Sequence, residues 1–229
     1  MSADGAPSAP VQQATRIVLR PIANPLPLGF LALAAGTLLM SGVQLGWLPV
    51  TDGRSVALMV IAFVVPLQLL AAIFGVLARD VVAGTAMGLL AGTWLSIALV
   101  TLDGAPGATS DALGLLLLIA AAALVIPATA AARTKLVPAV VIGTSAARFA
   151  LTGLFQLTAG AGWKEIAGLT GVALCAIAGY AAAAMLIEDA RGAAALPVGR
   201  RADGAAALHA GLAGQLHGVE HEAGVRGQL

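Results

Sequence analysis

The sequence predicts an all-α membrane protein with six transmembrane helices and both termini in the cytoplasm. Three observations predict it. Hydrophobic residues make up 59% of the 229 and charged residues 10%; the apolar residues fall into six long runs; and the basic residues gather in alternate connections between those runs. A soluble domain carries about a quarter charged residues, and the mean hydropathy of +0.96 does not fit one. The net charge of +1 gives no field that would favour nucleic acid as a partner.

A span needs about 20 apolar residues, because a helix rises about 1.5 Å per residue and the hydrocarbon layer is about 30 Å thick. The qualifying runs are residues 26–48, 55–78, 81–102, 112–132, 136–158 and 166–187. They divide the chain into a cytoplasmic segment at 1–23, a six-helix domain at 24–190 and a cytoplasmic tail at 191–229. Residues 1–24 hold no apolar core of the kind a signal peptide needs, so the first span is expected to direct insertion.

Orientation follows from the preference of Lys and Arg for the cytoplasmic side. With the N-terminus inside, the cytoplasmic segments hold Arg16, Arg20, Arg79, Arg133, Lys135, Arg191, Arg200, Arg201 and Arg226, whereas the opposite side holds Arg54 and Lys164. The third connection, with Asp103 and Asp111 and no base, fits the outside.

The first span opens with Asn24-Pro25-Leu26-Pro27-Leu28-Gly29-Phe30. Here Pro25 and Pro27 are read as fixing an extended start, Asn24 as a cap and Gly29 as a point of close packing. In the second span Pro66, and in the fourth Pro127, each removes a backbone hydrogen bond and favours a kink. Pro138 falls in the first turn of the fifth, where proline is tolerated. The third span carries Gly84, Gly88 and Gly92 at four-residue spacing, a ridge against which another helix packs. The hydroxyls of Thr93 and Ser96, beside Trp94, are as well suited to bond their own preceding turn as a solute.

The fifth span holds the chemistry. Arg148 stands near its midpoint, and an arginine there costs at least about 2.5 kcal/mol, so it must face protein or water rather than lipid. Thr144, Arg148, Thr152 and Gln156 recur every four residues on one helix face, bordered by Ser145. Two readings stay open. The stripe lines a path for a small anion whose charge Arg148 compensates, or Arg148 bonds carbonyls and polar groups of neighbouring helices and meets no solute.

The single cysteine, Cys175, lies in the sixth run, which excludes a disulfide within the chain and reads as a buried structural thiol. The tail is rich in Ala, Gly and scattered charge, and most of it is read as mobile or weakly helical. All three histidines, His209, His217 and His221, fall in it; His217 and His221 share a helix face, but no third ligand is indicated and no metal or other cofactor is expected. The spans offer no histidine or carboxylate to activate a nucleophile, and there is no Walker-type phosphate loop, so the chain does not read as an enzyme. No internal repeat is visible.

The motif at Asn24 to Phe30 resembles the Asn-Pro-Ala/Val-Pro-Leu-Gly-Leu/Phe signature of the acetate uptake transporter family. Further likenesses are Ala71-Ala72-Ile73-Phe74-Gly75, Gly88-Leu89-Leu90-Ala91, Gly179-Tyr180, Glu188 and Leu196-Pro197-Val198-Gly199, covering about residues 22–199. Departures are Ala72 where the family has Gln, the plain Gly92-Thr93-Trp94-Leu95, and Ser41 and Gln44 in place of asparagines. The resemblance implies a homohexamer in the cell membrane, each subunit with its own path for acetate or a similar small mono- or dicarboxylate. It also implies that Asn24, Pro25, Pro27, Leu28 and Gly29 form the cytoplasmic mouth. With no Asp, Glu or His deep in a span, a proton relay is hard to build, which favours channel-like passage or movement of the undissociated acid over symport. The alternatives are a channel for a neutral solute such as urea or ammonia, and a membrane scaffold or sensor acting through its tail.

Overall fold

The computed structural model describes residues 22–191 and 193–201. Helices α1 (Leu26–Gln44), α4 (Val81–Asp103), α5 (Asp111–Ala132), α6 (Leu136–Thr158) and α7 (Ala161–Arg191) are continuous. The second span is composite: α2 (Gly53–Met59), a π-helical turn at Val60–Val64, and α3 (Val65–Leu77). Pro66 explains the π turn. Its ring cannot donate a hydrogen bond and crowds the turn before it, and a wider turn relieves the clash. Pro127, by contrast, lies inside α5 without interrupting it.

Six helices are long and apolar enough to cross a membrane. Each span packs against its predecessor and successor in the chain, and the sixth closes on the first, α7 against α1, to complete a ring. The outside of the ring is apolar: Leu69, Leu70, Ile73, Leu115, Ile119 and Ile126 are all exposed. This inverts the pattern of a soluble bundle and matches a lipid solvent, in which every backbone polar group must be bonded within its own helix. The chain is a multi-pass membrane protein.

Lipid is as apolar as a leucine side chain, so the helices are held by close packing rather than by escape from water. Small residues make that contact possible. At the α3–α4 crossing, a Cβ on Gly75 would stand 2.8 Å from the backbone nitrogen of Gly84 and 3.0 Å from its Cα. Neither backbone atom can yield as a flexible side chain would. Gly75→Ala is therefore expected to destabilise the bundle by about 1 to 3 kcal/mol, read as a lowered melting temperature in detergent.

Helix starts carry their signals. The Asp80 carboxylate accepts from Ala83 N at 2.8 Å to cap α4, and the Ser110 hydroxyl accepts from Leu113 N at 3.3 Å to cap α5. At α1, Asn24 Oδ1 accepts from Leu26 N at 3.1 Å. The start itself is not extended: Pro25 has φ −78° and ψ −15°, and Pro27 is the second residue of the helix. Proline fits the first turn because the N–H it lacks would have no helical partner there.

Three boundaries differ from the sequence reading. Helix α1 stops at Gln44 rather than near residue 48, because the chain turns at Gly46 with φ +76°. Helix α7 begins at Ala161 and runs to Arg191, longer at both ends than the apolar run that revealed it. The first part of the tail is held in place. Leu136 N and Val137 N, donors at the start of α6 with no partner inside the helix, bond the carbonyls of Gly199 (2.9 Å) and Val198 (3.1 Å). Arg201 N donates to Thr134 O, Tyr180 Oη donates to Pro197 O, and Arg200 pairs with Glu188. Residues 196–201 are thus strapped to the α5–α6 corner. His209, His217 and His221 lie outside the described residues.

The ring has two ends. The near end carries Leu26, the α3–α4 and α5–α6 turns and the strap; the far end carries the α1–α2, α4–α5 and α6–α7 connections.

Candidate functional site

Arg148 sits six residues past Ile142 on α6 and is 1% exposed, inside the ring. Its Nη2 donates to Thr37 O at 3.3 Å and to Gln44 Oε1 at 3.3 Å, both on α1, and Gln44 Nε2 in turn donates to Thr152 Oγ1 at 3.4 Å. The guanidinium carbon lies 5.4 Å from the ring centroid of Trp94 on α4, a cation–π distance. Trp94 meets Phe149 edge-on, centroids 6.0 Å apart. Four helices therefore hold one cation in a fixed place, α1 and α4 by direct contact, α6 by carrying it, and α7 by yielding space.

That space is Gly171. A Cβ there would fall 2.5 Å from Arg148 Nε and 2.1 Å from Ser41 Oγ. Both of those buried atoms lack a hydrogen-bond partner. A buried charged group with donors to spare is costly unless something completes its shell.

A cavity of about 220 Å³ reaches Arg148 from the far end. Arg148, Thr152 and Gln156 line it, together with Gln44, Phe149 and Phe155. Its size is below the roughly 300 to 1,000 Å³ of sites for drug-sized ligands, which fits a small solute. Three members of the predicted stripe thus face one cavity. Gln156 is also structural, since its Oε1 accepts from Ser110 N at 2.8 Å. Thr144 is half-buried and does not line the cavity, because it lies one turn nearer the other end.

A second cavity, about 480 Å³, occupies the near end among Leu26, Arg79, Asp80, Thr134, Lys135 and Ile142. Burial first and the Arg200 charge second push the Lys135 ammonium below the ordinary lysine range, against the opposing pull of Asp80 and Glu188. Ile142 and Arg148, one from each lining, are separated by about 9 Å of helix rise, and no residue lines both cavities.

The opening motif serves this near end structurally. Pro25 and Pro27 are buried, Leu28 is half-buried, and Asn24 Nδ2 reaches Met185 Sδ at 3.8 Å. A Cβ on Gly29 would meet Met87 Sδ at 2.4 Å. Of the glycine ridge on α4, Gly84 lies tight against Val76, Gly88 makes ordinary contact with Ala72, and Gly92 faces open space. Within this chain the ridge packs only through its first members. Thr93 and Ser96 bond the carbonyls of Leu89 and Gly92 in their own preceding turns. Cys175 is half-buried rather than enclosed.

Sequence reading missed the shell around Arg148. Thr37, Ser41 and Gln44 lie at i, i+4 and i+7 on one face of α1, a polar stripe legible in the sequence, yet Ser41 and Gln44 are read there only as departures from a motif and Thr37 is passed over. Gly171 and Trp94 carried no signal that set them apart from other glycines and aromatics.

The pattern of one family, described as the GPR1/FUN34/yaaH family, matches residues 8–200. The chain belongs to this family. Its match spans the opening motif, all six helices and the strap up to Arg200, which agrees with the likeness drawn from Asn24 to Gly199. Among solved structures, the family member's fold is similar to that of the bacterial acetate channel SatP, with a TM-score of 0.69 and 24% sequence identity, covering 77% of this chain and 99% of that one. No curated protein matches the sequence.

Proposed function

We propose that this chain forms a transmembrane path for acetate or a similar small carboxylate, passing through the ring from the far-end cavity across Arg148 to the near end. The observation that carries the reading is the buried Arg148 at the inner end of a small cavity, in a member of the GPR1/FUN34/yaaH family. The acetate channel of like fold supports the substrate class. Arg148 stabilises a carboxylate where the surrounding apolar side chains would reject it.

No other charge lies deep in the described spans, so the path has no side-chain proton relay, and channel-like passage fits better than symport through titrating residues. Arg79, Arg133, Lys135, Arg191, Arg200 and Arg201 crowd the near end against Arg54 and Lys164 at the far end, which supports a cytoplasmic near end in the plasma membrane. The outward-facing Gly92 and the apolar exterior are compatible with a homo-oligomer, a hexamer by family resemblance.

Flux of labelled acetate, succinate, lactate, urea and ammonia into liposomes holding only this protein tests the proposal. Acetate is expected to enter down its gradient with or without a pH difference. Flux of urea or ammonia alone would establish a neutral path instead, and uphill acetate uptake driven by a pH gradient would overturn the channel mechanism.

A further inference from the structure

The far end of the ring is acidic by sequence and basic by placement. Its connections and helix ends hold Asp52, Asp103, Asp111 and Glu165 against Arg54 and Lys164. Yet the charged residues lining the far-end cavity are Arg54, Lys164 and Arg148, and no carboxylate lines it. The exclusion is local and repeated. Asp52 lies between the lining residues Thr51 and Gly53, Asp103 precedes the lining Gly104, and Glu165 follows Lys164, but each is left out.

We infer that Arg54 and Lys164 make the cavity an anion-capture vestibule, which draws a small carboxylate from solution and delivers it to Arg148. The inference rests on the carboxylate reading above and assigns these two residues to affinity rather than to passage.

Neither charge is spent elsewhere. Arg54 Nη1 donates to the carbonyl of Leu102 at 2.9 Å, a neutral partner that fixes the guanidinium without cancelling it. Among the described residues the Lys164 ammonium has no carboxylate within ion-pair distance. The walls between mouth and floor are largely apolar, with Met40, Val43, Ile97, Val100 and Phe149 among them. Low-dielectric walls focus the field of like charges along a cleft and raise the local concentration of the opposite ion. Arg54 is exposed, Lys164 half-buried and Arg148 buried, so the lining cations attract an anion inward towards the most buried of them. A neutral solute would feel none of this.

Such steering acts on capture, so its loss is expected to raise the acetate concentration for half-maximal flux and leave the maximal rate largely intact. In liposomes at an ionic strength of about 0.01 M, where the Debye length is about 30 Å, the Arg54→Gln, Lys164→Gln double variant is expected to raise half-saturation by about tenfold. At about 1 M salt, with a Debye length of about 3 Å, the difference should vanish. Lys164→Glu should exceed Lys164→Gln, Lys164→Arg should behave as the parent, and urea entry should not change. Lys164 substitution removes no hydrogen bond of its side chain, so it tests the idea even if the Arg54 variant assembles poorly. If the parent carries acetate but Lys164→Gln and Lys164→Glu keep its half-saturation at low salt, the vestibule is refuted while the carboxylate path stands. If the parent carries no carboxylate, both fall together.

Discussion

Arg148→Gln is expected to lower acetate flux by about ten- to a hundredfold, the rate equivalent of losing a charge-assisted contact of roughly 1.5 to 3 kcal/mol. The argument is electrostatic. A carboxylate at the floor of the cavity has left water, and Arg148 is the only charged side chain deep in the described spans. Glutamine keeps polarity but removes the charge and cannot reach both Thr37 O and Gln44 Oε1, the two acceptors that Nη2 now serves. The fold should survive, because losing two long hydrogen bonds is offset by no longer burying a cation. Size-exclusion profile and melting temperature in detergent would then match the parent while flux collapses. Unchanged flux would instead show that Arg148 only braces α6 against α1, the second of the two readings open in the sequence.

Gly171→Ala is expected to have the next largest effect, although it adds only one methyl group. That methyl would stand 2.1 Å from Ser41 Oγ and 2.5 Å from Arg148 Nε, so one of the two side chains must leave its place. Overpacking of this kind costs about 1 to 3 kcal/mol, and any shift of Arg148 misplaces the charge at the floor of the cavity. The expected result is a lower melting temperature together with reduced acetate flux. Gly179, two turns on in the same helix, meets nothing within 4 Å. Gly179→Ala is therefore the control and should be neutral or slightly stabilising, since alanine favours helix by up to about 1 kcal/mol. Equal behaviour of the two variants would mean that Gly171 is not the seat of Arg148.

Much of the fold was legible because its causes are local. A run of apolar residues becomes a span by its own length, as the runs at α4, α5 and α6 show almost to the residue, and capping by Asp80 and Ser110 depends on neighbours three positions away. The stripe on α6 was readable for the same reason, since helical periodicity alone aligns Arg148, Thr152 and Gln156. The ends of α1 and α7 were less legible. Gly46 stops α1 inside an apolar stretch, and α7 extends into polar residues that no hydropathy window credits.

The strap shows where local reading fails. Residues 196–201 look like linker in composition, but their carbonyls are the partners that the first donors of α6 lack, a need arising some sixty positions earlier in the chain.

By itself, then, the sequence determined that the chain crosses a membrane six times, which face of the fifth helix is polar, and that one arginine must be sheltered from lipid. Only the tertiary structure decided what shelters it: Thr37, Gln44 and Trp94 around it, Gly171 making room, and a cavity that gathers Arg54 and Lys164 with no carboxylate in its lining. The reason is physical. Hydropathy and periodicity act along one helix, whereas the field at a buried charge depends on which side chains six helices bring to the same place.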